Sequence, residues 1–379
     1  MSYLSSLKLH NFRCYEQARL DDLSSGLIVL SGANGAGKTN VLEAVSFLSP
    51  GKGLRGAKAL EVQRQNSPQA WAVSAAVETR FGDVQIGTGL DAQTEKRIVR
   101  IQGRDAKTQS ALSEYMSCVW LTPQMDGLFI DSSRERRKFL DRLVFAFDPG
   151  HSGRTTRYEN AMAQRSKLLR EGMGNDSWLS GLEAQMAETG IAIAAARLDF
   201  AQRLQSACER SEDEFFPRAD LNVTGTIEEL LKRAPALEVE EMFGYQLQQS
   251  RANDAIHGGA STGPHKSDLQ VRYAAKNMAA DQCSTGEQKA LLIGLVLAHA
   301  RLIAAERGAP PILLLDEVAA HLDEQRRAAL YDLLIALGGQ VWLTGTDHNL
   351  FTAIEGRAQF FGVDHAKIMP QQNPLRNVS

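Results

Sequence analysis

No run of eighteen consecutive apolar residues occurs in this chain of 379 residues, so the sequence leads to no expectation of a membrane-spanning helix. The stretch Met1 to Ser6 also lacks the basic-then-apolar order of an export signal, and a cytoplasmic location is expected. Cysteine is scarce. The four residues Cys14, Cys118, Cys208 and Cys283 stand far apart, with no Cys-x-x-Cys spacing and no histidine pair at ligand spacing, which argues against a disulfide scaffold or a structural zinc site. They read as reduced, structural thiols. An excess of positive charge is missing too. The net charge is −3, so any nucleic-acid contact has to come from a local patch. What is present suits a folded chain: 43% hydrophobic and 23% charged residues exclude a mainly disordered one. The length passes that at which a single core stops growing, so one large or two modest domains are expected.

Leu7 to Phe12 and Leu27 to Ser31 read as strands, the second a short apolar run that ends in a glycine-rich turn. A helix from Thr39 to Leu48 follows, with Val41, Leu42, Val45 and Leu48 on one face and Pro50-Gly51 stopping it. Short runs at Trp71 to Val77, Val84 to Leu90 and Arg97 to Ile101 suggest an antiparallel sheet. Ser132 and Glu135 have capping-box spacing, opening a helix to about Phe147. From about His151 to Glu212 the pattern is helical, interrupted at Gly172-Met173-Gly174-Asn175, with Trp178, Leu182, Met186, Thr189, Ile193, Phe200 and Leu204 at steps of about four. This reads as a short antiparallel pair whose first arm reaches about 33 Å. After a mixed stretch to about Gly263, helix Ser284 to Glu306, strand Ile312 to Leu315, helix Asp323 to Leu337 and strand Val341 to Thr344 indicate an α/β sheet.

Gly32-Ala33-Asn34-Gly35-Ala36-Gly37-Lys38-Thr39 fits G-x-x-x-x-G-K-[ST] at every fixed position and lies between an apolar strand and a helix, the context that motif requires. Backbone N–H groups of such a loop, with the helix N-terminus behind them, form a concave anion site. Lys38 would reach the β- and γ-phosphates of ATP, and the Thr39 hydroxyl would join Mg2+. Ile312-Leu313-Leu314-Leu315-Asp316-Glu317 is an apolar strand ending in two carboxylates, where open α/β sheets place their ligands. Asp316 would hold Mg2+ through water, and Glu317 would orient or deprotonate the water that attacks the γ-phosphate. An acidic strand end that merely caps a helix is the bland alternative for this pair. Ser284-Thr285-Gly286-Glu287-Gln288-Lys289 opens a long helix, and Ser284 with Glu287 has capping-box spacing as well.

The order of these segments is itself informative: the phosphate loop, the Ser284 helix, the Asp316-Glu317 strand, His321-Leu322-Asp323, then Val341-Trp342-Leu343-Thr344-Gly345-Thr346-Asp347. It resembles that of the bacterial RecF family, along nearly the whole chain. Asn11-Phe12-Arg13, the helix Arg134-Glu135-Arg136-Arg137-Lys138-Phe139-Leu140-Asp141, and Gly263-Pro264-His265-Lys266-Ser267-Asp268 are similar to that family in particular. The pattern departs at two places, since such proteins more often carry an acidic residue where Ser267 stands and a Gln where Glu287 stands.

The resemblance implies an α/β, ABC-type P-loop ATPase head with an inserted, mainly helical second lobe. On that reading residues 1–150 hold the N-terminal part of the head, 151–255 the lobe, and 256–379 the C-terminal part with signature and carboxylate strand. It further implies an ATP-dependent homodimer in which the loop of one copy and Ser284 and Gly286 of the other enclose ATP, with Arg13 as a further nucleotide contact. Gln124 lies where a glutamine would meet Mg2+ and water, although an ordinary loop residue fits equally. Asp323 resembles a dimer-facing aspartate or simply caps the next helix. For a switch residue, His348 competes with Thr346 and Asp347. The family's role would be DNA repair, replication and recombination, with support of the SOS response. Its members bind gapped or junction DNA, work with RecR and RecO to load recombinase, and hydrolyse ATP slowly.

Two basic groups are candidates for DNA phosphate: Lys52, Arg55 and Lys58 after the loop helix, and Arg134, Arg136, Arg137 and Lys138 on the later helix. Solvated basic faces are the alternative for both. No aromatic residues are interleaved with either group, so stacking of bases has no support. The ATPase subunit of a transporter and a nucleotide-dependent scaffold with negligible hydrolysis remain competing functions. A long coiled-coil ATPase does not fit, because only 245 positions separate Lys38 from Ser284 (284 − 38 − 1).

Overall fold

The computed structural model describes residues 2–172, 175–210 and 215–371. They form two compact units: residues 1–125 with 300–379, and residues 126–299. The expected limits of the lobe, 151 and 255, both fall inside the second unit. The helix at Ser133–Phe145, the strand Asp268–Tyr273 and the first turns of the Thr285 helix cluster with the lobe.

In the first unit, β1 (Tyr3–Phe12), β2 (Tyr15–Leu20) and β3 (Leu27–Ser31) precede α1 (Lys38–Phe47). Then come β4 (Ala72–Thr79), β5 (Gly82–Leu90), β6 (Arg97–Ile101), β7 (Arg104–Asp105) and β8 (Cys118–Leu121). The three runs expected after Ala70 are thus strands. They join β1 and β2 in an antiparallel sheet of order β2-β1-β4-β5-β6-β7. Its inner face is led by Phe12 and Trp71, which meet Phe47 of α1 edge to face at 5.5 to 5.8 Å, the geometry the ring quadrupoles favour.

The second unit holds α2 (Ser133–Phe145), α3 (His151–Glu171), α4 (Asp176–Glu209), β9 (Ala219–Thr224), α5 (Thr226–Leu231), α6 (Ala236–Gln249), α7 (Arg251–His257), β10 (Asp268–Tyr273), β11 (Met278–Ala279) and the start of α8 (Thr285–Arg307). Helices α3 and α4 are the expected pair, with Met173 and Gly174 of the expected break outside the described residues, as are Ser211 and Glu212 at its end. α4 runs 34 residues, about 50 Å, longer than the short arm expected, because its C-terminal part continues onto β9. Leu182, Met186, Ile193, Phe200 and Leu204 are buried as the periodicity requires, but Trp178 is 56% exposed, since it precedes the point where α4 meets its neighbours. The capping box at Ser132 does not form. Ser132 makes no side-chain cap, and Glu135 accepts from Lys138 at 2.6 Å instead.

The first unit resumes with β12 (Ile312–Leu315), α9 (Glu324–Leu337), β13 (Val341–Gly345), β14 (Ala358–Asp364) and β15 (Lys367–Gln371). The order β15-β14-β3-β13-β12-β8 is parallel except for β15. β3, β12 and β13 are buried at every position, which is why they read as unbroken apolar runs. Only β13 separates the strand feeding the phosphate loop from the strand ending in Asp316. α8 is long and apolar enough to cross a membrane by length and composition, but 72% of its most apolar window is buried, as in a core helix.

Candidate functional site

The phosphate loop leaves β3 at Ser31 and enters α1 at Lys38. Its last glycine is backed by the turn between β1 and β2. Tyr15 Oη donates to the Gly37 carbonyl at 3.2 Å, Gly37 has φ 118°, and a Cβ there would stand 2.6 Å from Tyr15 Oη and 2.9 Å from Cys14 Sγ. Only glycine combines that backbone angle with so close an approach. Lys38 is 4% exposed. Its Nζ donates to the carbonyls of Gly32 at 2.7 Å and Ala33 at 3.0 Å. Burial lowers its pKa, opposed by the charges of Glu317 and Asp316. A buried ammonium capped by two loop carbonyls is ready to exchange them for phosphate oxygens.

Thr39, Asp316 and Thr344 form a continuous chain at the C-terminal edge of the parallel sheet. Thr39 Oγ1 lies 2.9 and 3.0 Å from the two Asp316 oxygens. Thr344 Oγ1 donates to Asp316 Oδ1 at 2.7 Å and accepts the Glu317 N–H at 2.9 Å. Glu317 adopts φ 54°, a left-handed conformation unusual for a side-chain-bearing residue, and so turns the chain out of β12. Among the described residues its carboxylate takes part in no hydrogen bond, which leaves it available to a water.

The donors fit a magnesium ion. Thr39 and Asp316 offer hard oxygens, and no group of three or more His, Cys, Asp or Glu that could hold a metal occurs among the described residues. Such a pair relies on phosphate and water for its remaining positions, as Mg2+ sites do. Gln124 sits exposed in the turn Pro123–Met125 after β8, the neighbour of β12.

Arg13, expected beside the nucleotide, lies instead with its guanidinium against α1. Nε and Nη2 donate to Glu43 at 2.8 and 2.6 Å, and Nη1 to the Glu61 carbonyl at 2.7 Å. Arg55, expected on DNA, shares that carboxylate at 3.1 Å and reaches Asn40 Oδ1 at 2.9 Å. Lys52 is exposed.

In the second unit, the capping box of the signature segment forms in full. Glu287 Oε2 accepts from Ser284 N and Oγ, both at 2.9 Å. Lys276, on the turn between β10 and β11, also bonds Glu287, and these contacts, Lys276 foremost, hold its carboxyl at about 2. Ser284 and Gly286 are exposed. Gln288 Nε2 donates to the Cys283 carbonyl at 2.9 Å, and Lys289 Nζ to Asp126 Oδ2 at 3.1 Å.

The basic helix α2 is largely engaged inward. Arg136 grips Asp268 through Nε at 2.7 Å and Nη2 at 2.8 Å, and Arg137 Nη1 donates to the Ser267 carbonyl at 2.6 Å. Asp141 accepts both Arg197 Nε and Nη2 at 2.8 Å and faces His151 Nε2 at 2.8 Å, while Arg197 Nη1 donates to the Pro264 carbonyl at 2.6 Å. Burial alone would raise the Asp141 pKa, but His151 and Arg197 bring it down to about 2. The helix Arg134–Asp141 and the segment Gly263–Asp268 are therefore one interlocked frame. Of the four basic candidates on α2, Arg134 and Lys138 are exposed, Lys138 in its pair with Glu135.

Asp323 caps α9, its side chain accepting the Arg326 N–H at 2.9 Å. Asp347 likewise accepts from Asn349 N at 2.9 Å. His348 stands 3.3 Å from Glu355 and 5.0 Å from the Phe360 ring, and Thr346 is exposed. Sequence reasoning assigned no role to Thr344, Tyr15, Glu43 or Lys276. Thr344 follows an apolar strand at the position equivalent to a strand end, which was its one available signal.

Residues 3–368 match the RecF/RecN/SMC N terminal domain family. Proteins named DNA replication and repair protein RecF are similar over nearly the full length. The one from Agrobacterium fabrum is 50% identical over 369 residues, 96% of this chain and 98% of the relative. The one from Mesorhizobium japonicum is 48% identical over 375 residues, 98% and 99%. Among solved structures, that of a RecF recombination mediator in a RecF-ATPrS state superimposes with TM-score 0.86 at 22% identity, covering 98% of both chains. An SMC head bound to the winged-helix domain of ScpA gives TM-score 0.56 at 14% identity over 99% of both. The fold is thus that of an ABC-type P-loop ATPase head with an inserted lobe, as the order of motifs implied. The chain belongs to the RecF family.

Proposed function

We propose that this protein is an ATP-dependent DNA-binding repair and recombination factor of the cytoplasm. It dimerises on ATP at gapped or single-strand/double-strand junction DNA, and helps load recombinase together with RecR- and RecO-type partners. The chain Thr39–Asp316–Thr344–Glu317 carries the reading, because it joins the phosphate loop to the hydrolytic carboxylate through bonds that only a nucleotide site needs.

Lys38 transfers its ammonium from the loop carbonyls to the β- and γ-phosphates. Thr39 and Asp316 would hold Mg2+, with Gln124 near it, and the ion, when bound, supplies neutralisation of phosphate charge. Glu317 orients or deprotonates the attacking water. Ser284 and Gly286 of a second copy close the site at a helix N-terminus, whose dipole favours phosphate. Lys52, Arg134 and Lys138 are the basic side chains best placed to meet DNA backbone, with Arg136 and Arg137 serving as frame. The transporter alternative draws no support from the relatives, all of which carry the repair name.

Sedimentation of the protein with ATP or ADP, with and without gapped DNA, tests the proposal. An ATP-dependent dimer that Glu317→Gln traps on DNA supports it. A monomer under every condition overturns the composite site.

A further inference from the structure

Two arginines on separate segments, one proposed for the nucleotide and one for DNA, converge on one buried carboxylate. Glu43 lies on α1 with its side chain 0% exposed, and the arginine side chains are 22% (Arg13) and 37% (Arg55) exposed. Glu43 Oε2 is shared. It accepts Arg13 Nε at 2.8 Å and Arg55 Nη1 at 3.1 Å. Asn40, one turn earlier on the same face, repeats the bridge: its Oδ1 accepts from Arg55 at 2.9 Å, and its Nδ2 donates to Cys14 Sγ, beside Arg13, at 3.1 Å. Helix α1, whose first residue is the phosphate-loop lysine, therefore ties the turn carrying Arg13 to the glycine-rich segment carrying Arg55.

We propose that Glu43 is a shared anchor that couples these two arginines in opposition, with Arg55 a positioning residue for Arg13. The inference rests on the ATP- and DNA-binding reading above. A fully buried carboxylate has to keep at least one cationic partner, because leaving it uncompensated costs several kcal/mol. Arg13 engages all three of its donor positions within the chain, so contact with a nucleotide phosphate requires it to loosen from Glu43. That move is easy while Arg55 stays on the carboxylate. A phosphodiester that draws Arg55 away leaves Arg13 as sole partner of Glu43 and holds it there. Engagement of DNA at Arg55 thus weakens the grip on ATP, and by linkage ATP at Arg13 weakens DNA at Arg55 to the same extent.

A mutant cycle read by ATP titration, without DNA and with gapped duplex, tests this. Arg13→Ala should weaken ATP binding. Arg55→Ala, which mimics capture of Arg55, should weaken it about five-fold, the low end of ordinary coupling and suited to a partly exposed partner, raising KM with little change in kcat. Arg55→Lys should recover most of that loss. Glu43→Gln in the Arg55→Ala background should restore affinity, since Arg13 is then free to move. A purely structural role predicts the reverse, a deeper loss in the double variant. Should Glu43→Gln fail to fold, Arg13→Ala/Arg55→Ala decides: no loss beyond Arg13→Ala alone supports the coupling, and additive losses overturn it. If ATP does not bind the wild type, or Arg13→Ala is silent, the functional reading falls and the inference with it. If Arg13→Ala weakens binding and Arg55→Ala does not, the inference alone falls.

Discussion

Thr344 Oγ1 donates to Asp316 Oδ1 across adjacent strands at 2.7 Å. The same hydroxyl takes the N–H of Glu317 at 2.9 Å, so one side chain, 1% exposed, sets both carboxylates after β12. Thr344→Val keeps the shape and removes the hydroxyl. It should cost about 1–3 kcal/mol, the usual result of leaving a buried polar group unpaired, and slow ATP turnover more than it weakens ATP binding. Thr344→Ser should restore both. Chemical denaturation together with single-turnover hydrolysis checks this.

Gly37→Ala should reduce nucleotide affinity by more than ten-fold and lower stability by about 1–3 kcal/mol, because φ 118° strains any side chain and the new Cβ would press on Tyr15 Oη at 2.6 Å. Tyr15→Phe in the same background should relieve only the clash, so the recovery is partial. Calorimetric titration with ATP reads the first effect and thermal melting the second.

The pairing of Arg136 with Asp268 is bidentate and part-buried. Arg136→Ala should cost about 1–3 kcal/mol, as expected for a charge-assisted pair with one partner removed. The salt dependence of DNA binding should stay as it was. Exchange of the two residues, Arg136→Asp with Asp268→Arg, should recover stability. A fall in the salt slope by about one on losing Arg136 would instead make it a phosphate contact.

Asp141 has its carboxyl at about 2, below its ordinary 3.8, through His151 and Arg197 acting against burial. A depressed carboxyl contributes stability that is fully present above its unfolded pKa and is lost as pH falls through the folded one. Its share, roughly 2 kcal/mol, should therefore be intact above about pH 4 and fade toward pH 2. Asp141→Asn should be less stable near neutrality and lose less between those limits, as urea midpoints measured across that range would show.

Much of the protein was legible as sequence because its signals are local. The glycine spacing from Gly32 to Thr39, the apolar strands at Leu27 and Ile312 and the order of segments from Ser284 to Asp347 each depend on neighbours a few residues apart, and all are realised as elements of the expected kind. Identical local patterns still diverged. Ser284 and Glu287 close a capping box, whereas Ser132 and Glu135 do not, since Lys138 takes Glu135 on the surface of α2. The roles of charged side chains were out of reach altogether. Arg136 meets Asp268 and Arg13 meets Glu43 across 132 and 30 positions of chain, and composition or periodicity says nothing about which cation a distant carboxylate receives. A basic run that looked like a DNA face became in part the frame of a loop. Sequence thus determined the elements and the chemistry of the nucleotide loop, through steric and hydrogen-bonding preferences that act within a turn or two. Tertiary structure decided which charges are neutralised internally and which remain for a partner, because burial, the term that makes pairing obligatory, exists only once the chain has folded.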